Sequence, residues 1–241
     1  MVLQARMGST RLPGKSMMPM CGEPLLYRIL ERVSRCKRVD EVVVAIPVSE
    51  QDNILIPVCE KAGVPVFRGS EEDCLDRYYH AAKQFSADYV IRLPADNATP
   101  EPEEIDRLVD YHLGLGRRGF STNLIEIMGS GYPDGIGAEI FNFSLLEEAW
   151  EGNPNLRRRE HVHLNFFDYE GEVAVDPEWC PIGTPKCPSA FARPDVILDV
   201  NTQEQYFFIK DLYEALYPEN PNFHISDTLR WYNEWKSEKK I

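Results

Sequence analysis

The stretch VLQARMGSTRLPGK at residues 2–15 passes from a short apolar run into a loop of glycine and basic side chains. A helical pattern follows, because the segment LLYRILERV at residues 25–33 repeats apolar side chains every three or four positions. A strand, a loop and an amphipathic helix in this order are typical of the first unit of a parallel α/β sheet. The alternation continues, with strands predicted at 41–46, 64–67 and 88–93 and helices at 52–62 and 75–85.

The rest of the chain predicts one domain with an insertion. Short apolar strands joined by helices predict a mainly parallel sheet covered on both faces, with ligands beyond the carboxyl ends of its strands. After residue 114 the pattern loosens, and residues 177–194 alone hold five of the eighteen prolines. We expect a single domain over residues 1–241 with an inserted subdomain at roughly 114–194. Further strands are predicted at 139–141 and 195–200, and further helices at 144–150, 159–167, 202–217 and 226–235.

Composition excludes several classes of protein. The 241 residues are 43% hydrophobic and 27% charged, which is enough apolar sequence for one α/β core. A formal net charge of −13 argues against general nucleic-acid binding, and no apolar run approaches the ~20 residues that span a bilayer. Six cysteines without CxxC spacing are typical of reduced thiols. We expect a cytoplasmic protein with neither a nucleic-acid nor a membrane partner.

Basic side chains concentrate near the amino terminus. Residues 1–38 hold eight basic and two acidic side chains, although the whole chain is acidic. We interpret the five between Arg28 and Arg38 as the solvated face and last turn of a helix. The other three, Arg6, Arg11 and Lys15, stand among glycines in the loop.

This loop has the composition of an anion site. Glycine lets backbone N–H groups converge on an anion, and two arginines and a lysine neutralise several negative charges. A triphosphate is the natural ligand of such a loop. The glycine spacing differs from that of a P-loop or a GxGxxG motif, so a plain solvated turn remains the alternative.

The segment QARMGSTRLPGK and five later motifs together resemble one enzyme family. The later motifs are CGEPLLYRILERV, VFRGSEEDCLDRYYHAA, RLPADNATPEPEEID, YPDGIGAEIF and REHV, in that order. The set resembles the cytidylyltransferases that make CMP-activated acidic sugars, such as 3-deoxy-manno-octulosonate and acylneuraminate cytidylyltransferases. The closest likeness is to the spore coat polysaccharide biosynthesis protein F branch.

The resemblance implies both a fold and a reaction. It implies a Rossmann-like three-layer α/β/α nucleotidyltransferase fold with a mainly parallel mixed sheet, dimeric through an inserted segment. The implied reaction is attack of an acceptor oxygen on the α-phosphorus of CTP, with release of pyrophosphate, for surface polysaccharide or glycan synthesis. Catalysis at an anionic phosphate consists largely of alignment and charge neutralisation.

The resemblance also suggests which residues bind the nucleotide and the acceptor. Arg11, Lys15 and Asp96 are the catalytic candidates. The segment from Ser70 to Arg77 either contacts the base or ribose or simply caps a helix, and the turn from Tyr132 to Gly135 is either structural or near the acceptor. The nucleotide-binding candidates are Leu3, Gln4, Ala5, Arg6, Gly8, Ser9, Arg11, Lys15, Ser70 and Asp76. The acceptor-binding candidates are Arg92, Tyr132, Glu139, Arg159 and His161.

Magnesium is the expected cofactor, because Mg²⁺ is usually held by one or two carboxylates and substrate phosphates. Asp96 follows a predicted strand, at the position of the family's metal-binding aspartate. A second family aspartate is matched here by Asn201, and Asp199 lies two residues earlier, on the same face of a strand. Our hypothesis is that Asp199 supplies the missing charge. The alternatives are weak ligation by Asn201, a site with one carboxylate, or lost activity.

Three functions therefore remain open from the sequence. The first is CMP transfer to a 2-keto-3-deoxy sugar acid, with CTP and a small acidic acceptor as partners of a homodimer. The second replaces that acid by a phosphate or phosphonate acceptor, which the basic residues 157–159 leave open. The third is a non-catalytic nucleotide-binding homologue, which the departure at Asn201 suggests.

Overall fold

A seven-stranded mixed sheet forms the centre of the protein, as seen in a computed structural model that describes residues 1–239. Its strands are β1 (Val2–Gln4), β4 (Val43–Pro47), β5 (Val66–Gly69), β6 (Tyr89–Pro94), β7 (Phe120–Thr122), β8 (Glu139–Asn142) and β11 (Ile182–Gly183). Across the sheet they lie in the order β11-β7-β8-β6-β1-β4-β5. Two short hairpins lie outside it, β2 (Pro19–Met20) with β3 (Glu23–Pro24) and β9 (Phe167–Asp168) with β10 (Val173–Ala174).

The central strands are parallel and one later strand is not. β1 pairs in parallel with both β4 and β6, whereas β8 is antiparallel to β6 and to β7. The carboxyl ends of β1, β4 and β6 therefore open onto the same edge of the sheet. Within residues 1–239, eight α-helices accompany the strands, namely α1 (Leu25–Val33), α2 (Ile56–Ala62), α3 (Cys74–Gln84), α4 (Pro102–Gly114), α5 (Phe143–Gly152), α6 (Leu156–Glu160), α7 (Gln203–Leu216) and α8 (Ile225–Lys239).

Alternation along the strands divides the core into two layers. Val2 belongs to the apolar cluster that contains α3 and α5, whereas its neighbour Leu3 belongs to the cluster that contains α1, α4 and α7. Successive side chains of a strand point to opposite faces, so both faces of the sheet are buried under helices. Full burial of a side chain such as Leu3 contributes about 1.5 to 3 kcal/mol. The predicted three-layer α/β/α architecture is confirmed.

Local sequence signals set several helix ends. The carboxylate of Asp73 accepts a hydrogen bond from the backbone N–H of Asp76 at 2.9 Å and caps α3. Thr202 and Gln205 form a reciprocal capping box at the start of α7. α2 ends at Gly63, whose φ of 70° is the left-handed conformation that glycine adopts without strain.

Two predicted elements differ from the structure. Residues 195–200 form no regular strand and make only the isolated bridges Asn97 to Asp199 and Asp134 to Ile197. The predicted helix at 159–167 is instead the end of α6 followed by a 3-10 turn at Val162–Asn165. Residues 195–200 are held by backbone hydrogen bonds to the distant residues Asp96 and Asp134, which sequence periodicity does not report.

Two of the five basic side chains expected on a solvated face, Arg28 and Arg32 of α1, are buried, whereas Lys37 and Arg38 are exposed as expected. Arg28 is 5% exposed, donates from Nε to the Met20 carbonyl at 3.0 Å, and lies over the Tyr217 ring. Arg32 is 2% exposed and donates from Nε to the Pro100 carbonyl at 2.9 Å. These guanidinium groups therefore hold the packing together and are not available to an anionic ligand.

Candidate active site

A buried carboxylate fixes the loop that follows β1. Asp52 is fully buried, and its Oδ1 accepts a hydrogen bond from the backbone N–H of Met7 at 2.6 Å. The N–H of Gly14 donates to the Met7 carbonyl at 2.9 Å, and Gly14 takes a φ of 73°. This left-handed conformation favours glycine and turns the chain back toward the sheet. Sequence reasoning missed Asp52, although it follows β4 at the same edge of the sheet.

The loop brings its lysine against the aspartate at the end of β6. Lys15 Nζ lies 2.8 Å from Asp96 Oδ2 and also donates to the Val200 carbonyl at 2.9 Å. The Asn201 Oδ1 accepts from Lys15 at 3.3 Å and from Arg11 Nη2 at 2.5 Å. Two catalytic candidates from the loop, Arg11 and Lys15, therefore meet near the third, Asp96, which is distant in the sequence.

Asp199 is held next to Asn201 by two side-chain amides. Gln205 Nε2 donates to Asp199 Oδ1 at 3.0 Å, and the Asn201 amide donates to the other carboxylate oxygen. Burial, followed by the charge of Asp96, raises the pKa of Asp199. Burial and the charges of Asp199 and Asp96 raise the pKa of Asp134 to about 7. Asp134, of the YPDG turn, is a neighbour of this site, and the sequence left open whether this turn is structural or near the acceptor.

The YPDG turn is a structural support for Asp199. The backbone N–H of Asp134 donates to the Val196 carbonyl at 3.0 Å, and the N–H of Leu198 donates back to the Asp134 carbonyl at 3.0 Å. At Gly135, with φ of 89°, an added Cβ would lie 2.8 Å from the Leu198 carbonyl carbon. Only glycine fits this close approach, which fixes the segment that leads to Asp199.

A polar cleft of about 370 Å³ opens at this edge of the sheet. It is lined by the nucleotide-binding candidates Gln4, Ala5, Arg6, Ser9, Arg11 and Lys15, by Asp96, and by the acceptor-binding candidates Arg92 and His161. The structure therefore brings these predicted residues together. It adds Thr10, Ser16, Pro94 and Ala95, which sequence reasoning did not select for the site. It also includes residues of two segments that the sequence had left open between a functional and a structural role, namely Glu71, Glu72, Cys74 and Arg77 of one and Glu160 and His163 of the other.

A buried ion pair stands behind one wall of the cleft. Arg92 Nη1 lies 2.7 Å from Glu139 Oε2, and the Tyr169 hydroxyl donates to Glu139 Oε1 at 2.9 Å. Glu139 is fully buried, so it supports Arg92 and does not face the cleft itself. Within residues 1–239, the buried Nε of Arg92 and Nδ1 of His163 have no hydrogen-bond partner. Burial and the charge of Arg92 lower the pKa of His163 to about 3, which keeps this imidazole neutral.

Two other acceptor-binding candidates lie away from the cleft. The Tyr132 ring is fully buried, and its hydroxyl donates to Glu104 Oε2 at 2.6 Å. Arg159 donates from Nε to Asp73 Oδ2 at 2.5 Å and from Nη1 to the Trp150 carbonyl at 3.0 Å. Both side chains are occupied by contacts inside the protein, and neither is among the residues that line the cleft.

Four nucleotide-binding candidates are likewise structural. Ser70 Oγ accepts from the Asp73 N–H at 3.0 Å just before α3, and Asp76 Oδ1 accepts from Trp150 Nε1 at 2.8 Å, which joins α3 to α5. Leu3 lies in the middle of the sheet, with strands paired on both sides. Gly8 does not line the cleft, and a Cβ there would make only an ordinary contact with Gln51.

Three oxygen-bearing side chains around Lys15 fit a hard divalent cation, and Asp96 is the one of them that lines the cleft. Asp96, Asp199 and Asn201 offer carboxylate and carbonyl oxygens, which Mg²⁺ prefers. Burial first, and then the charges of neighbouring aspartates, raise the pKa values of Asp199 and Asp134, and a bound cation would favour their charged forms. Across residues 1–239, no group of three His, Cys, Asp or Glu side chains has a metal-binding arrangement. Further ligands for Mg²⁺ would therefore come from substrate and water.

Comparison with known proteins assigns the family. The model of the cytidylyltransferase family matches residues 1–214. The chain belongs to the cytidylyltransferase family. The expectation of a nucleotidyltransferase enzyme is thereby confirmed at the level of the family. None of the helices within residues 1–239 is long and apolar enough to cross a membrane.

Three relatives and one solved structure show how far the likeness extends. The Bacillus subtilis spore coat polysaccharide biosynthesis protein SpsF is 32% identical over 96% of this chain and 92% of its own. The uncharacterized Methanocaldococcus jannaschii protein MJ1063 is 37% identical, over 67% of this chain and 63% of that protein. An Anaeromyxobacter dehalogenans 3-deoxy-manno-octulosonate cytidylyltransferase is 31% identical over 48% of each chain. A cytidylyltransferase structure from Leptospira borgpetersenii is 30% identical, with a TM-score of 0.85 over 98% of this chain and 94% of that one.

Proposed function

We propose that this cytidylyltransferase transfers CMP from CTP to an acidic sugar of the 2-keto-3-deoxy acid type and releases pyrophosphate, with Mg²⁺ as cofactor. The observation that carries the proposal is the meeting of Lys15, Arg11 and Asp96 at one end of a cleft of about 370 Å³. A cationic glycine loop facing a carboxylate at the carboxyl edge of a parallel sheet suits a metal-bound triphosphate.

The phosphate loop supplies positive charge where the reaction needs it. Lys15 is held by Asp96 and the Val200 carbonyl, so its ammonium group is already positioned beside the phosphate site. Arg11 is exposed and reaches the same point through Asn201. In the proposed reaction these cations neutralise the α-phosphate and the leaving pyrophosphate, which is the main requirement of phosphoryl chemistry.

Asp96 and Asp199 are the proposed magnesium ligands, with Asn201 beside them. Bound Mg²⁺ supplies charge neutralisation and orientation of the phosphates. Asn201 donates its amide to Asp199 and accepts from Arg11 through its carbonyl oxygen. It therefore links the proposed ligand Asp199 to the cationic loop. This arrangement supports the hypothesis that Asp199 supplies the charge that Asn201 lacks.

Arg92 supports an anionic acceptor. Its buried Nε has no hydrogen-bond partner within residues 1–239, although the guanidinium group lines the cleft and is neutralised from behind by Glu139. A carboxylate of the acceptor would satisfy this donor. His161 is exposed at the same wall, and the neutral His163 lies beside Arg92. No residue stands out as the general base for the acceptor hydroxyl.

The acidic-sugar proposal is favoured over a phosphate or phosphonate acceptor. The second candidate depended on the basic residues 157–159, and none of them lines the cleft. Arg159 is also bound to Asp73. SpsF is named for spore coat polysaccharide biosynthesis, which supports a role in surface polysaccharide or glycan synthesis.

We further propose a cytoplasmic homodimer that pairs through the inserted subdomain at roughly 114–194. Leu156 is 82% exposed and Val173 is 57% exposed, so this part of the chain presents apolar surface to a second copy. All six cysteines are free thiols, which suits a reducing compartment. Sedimentation analysis of the full chain tests the dimer. A monomer at micromolar concentration would contradict it.

Pyrophosphate release tests the reaction. The protein is incubated with CTP, Mg²⁺ and separate acceptors, namely 3-deoxy-manno-octulosonate, an acylneuraminate, a sugar phosphate and a phosphonate. We expect release with a 2-keto-3-deoxy acid only. Release with the phosphorylated acceptors alone would support the second candidate. Tight CTP binding without pyrophosphate release on any acceptor would support the third candidate, a non-catalytic nucleotide-binding homologue.

A further inference from the structure

Three side chains that line the cleft form a hydrogen-bonded series. Arg77 Nη2 donates to Cys74 Sγ at 3.5 Å, and Cys74 Sγ lies 3.4 Å from Gln4 Oε1. All three residues line the cleft. We call them the Gln4 series. Gln4 belongs to the motif QARMGSTRLPGK, and Cys74 and Arg77 belong to VFRGSEEDCLDRYYHAA, but the sequence alone indicates for Cys74 only a structural thiol.

Arg77 is the fixed end of this series. Its side chain is 2% exposed, Nη1 donates to the Ser70 carbonyl, and its stem packs against Gly69. Within residues 1–239 no carboxylate lies within 4.0 Å of its guanidinium group, and its buried Nε has no hydrogen-bond partner. An unpaired buried cation in a cleft wall is costly without a role, so Arg77 is held there to orient neighbouring groups.

The chemistry of the series determines how the Gln4 carboxamide points. An arginine N–H can only donate, so the Cys74 sulfur accepts from Arg77 and its own S–H is directed to Gln4. Burial raises the pKa of Cys74, so the thiol keeps its proton at neutral pH. A thiol donor must meet the carbonyl oxygen of Gln4 and not its NH₂ group. The two N–H donors of Gln4 are therefore left for a ligand.

Gln4 is also the only carboxamide among the residues that line the cleft. Cationic side chains suit the phosphates of a nucleotide. The edge of a nucleobase is instead neutral and carries both hydrogen-bond donors and acceptors. Asparagine and glutamine are the side chains that read such edges. Cytosine presents an acceptor at N3, and uracil presents a donor at the same atom.

We propose that Gln4, oriented by Cys74 and Arg77, donates to N3 of the nucleobase and selects CTP over UTP. Gln4 is thus a specificity-determining residue, and Cys74 and Arg77 are positioning residues. The inference rests on the proposed function, because it requires a pyrimidine triphosphate in this cleft. With UTP, a buried N–H of the base would face the N–H donors of Gln4, and both would lack a partner.

Paired cysteine variants test the proposal. Dissociation constants for CTP and UTP are measured by titration calorimetry with Mg²⁺ for the wild-type chain, Cys74→Ser and Cys74→Ala. A serine hydroxyl keeps a donor for the Gln4 carbonyl, whereas alanine removes it and lets the carboxamide turn. We expect the ratio of the UTP and CTP constants to fall about tenfold in Cys74→Ala, the value of one hydrogen bond, and to be retained in Cys74→Ser.

A variant at a second position keeps the test valid if the replacements of Cys74 disturb the fold. Gln4→Glu has the same shape but no N–H donor, and we expect it to lose the preference for CTP while its circular dichroism stays unchanged. Equal binding of CTP and UTP by the wild-type chain, or an unchanged ratio in both Cys74→Ala and Gln4→Glu, overturns the inference and leaves the proposed function standing. Absence of binding to every nucleotide overturns the proposed function, and the inference with it.

Discussion

Lys15 Nζ lies 2.8 Å from Asp96 Oδ2, although 81 positions separate the two residues in the chain. One belongs to the loop after β1 and the other to the turn after β6, which are neighbouring strands in the sheet. Parallel pairing places the carboxyl ends of both strands at one edge. The sheet topology therefore creates the contact on which the proposed phosphate site depends.

Replacement of Lys15 tests the role of its charge. We expect Lys15→Ala to reduce turnover about 100- to 1,000-fold, because a preorganised charge at the phosphates is lost. Steady-state measurement of pyrophosphate release checks this. Lys61→Ala is the matched control, since Lys61 is an exposed lysine paired with Glu23 on the surface, and it should retain wild-type turnover. Comparable rates for the two variants would show that Lys15 has no catalytic role.

The metal hypothesis makes a separate prediction at Asp199. In Asp199→Asn the shape is preserved and the charge is removed, so we expect the Mg²⁺ concentration for half-maximal turnover to rise about tenfold or more. Asp195→Asn is the control, because Asp195 is an exposed carboxylate paired with Arg193. An unaltered requirement for Mg²⁺ in Asp199→Asn would dismiss the idea that Asp199 compensates for Asn201.

Arg92 and Glu139 should differ from surface ion pairs in their effect on stability. Arg92→Met leaves the fully buried Glu139 without its partner, and we expect a loss of roughly 3 to 5 kcal/mol in the free energy of unfolding. Arg118→Met breaks the exposed pair with Glu148 and should cost at most about 1 kcal/mol. Urea unfolding of both variants measures the difference. Equal losses would mean that the Arg92 pair is not desolvated.

Acid should destabilise the protein through His112. This side chain is 1% exposed, and burial lowers its pKa from 6.5 to about 4. The unfolded chain therefore takes up a proton as the pH falls below 6.5, while the folded chain stays neutral until about 4. Stability present above pH 6.5 is lost on acidification, by about 2 kcal/mol between about pH 7.5 and about pH 5.

The matched variants for this prediction are His112→Gln and His80→Gln. His112→Gln removes the buried titrating group, so the fall in unfolding free energy over this pH range should shrink by about 2 kcal/mol. His80 is exposed on α3, and its replacement should leave the pH dependence as in the wild type. Urea unfolding at several pH values checks both. A wild-type slope in His112→Gln would assign the acid sensitivity to other groups.

The order of strands and helices was predictable because their apolar side chains follow clear periods. Val2 and Leu3 alternate between the two core layers, and the apolar side chains of α1 recur at helical spacing. The glycine and basic residues of the loop from Arg6 to Lys15 predict an anion site, and that role stays a prediction. The fold and the place of this loop at the edge of the sheet thus follow from local sequence.

Long-range contacts account for what was missed. Arg28 and Arg32 look like solvated helix residues in sequence, but Met20, Tyr217 and Pro100 bury them. Arg159 resembles an acceptor ligand until Asp73, far away in the chain, binds it. No local signal reports such partners.

The Gln4 series shows the same limit. Gln4, Cys74 and Arg77 are joined by hydrogen bonds only because the fold places β1 next to α3. Sequence can name the residue types that suit a nucleotide, but the direction of an amide depends on its neighbours in space.

Calorimetric titration of the wild-type chain with CTP and Mg²⁺ tests the central claim most directly. The account predicts saturable heat with one CTP bound per chain, and affinity reduced at least about tenfold when Lys15 is replaced by alanine. No heat with CTP or with any other ribonucleoside triphosphate would contradict the assignment of the cleft as a nucleotide site.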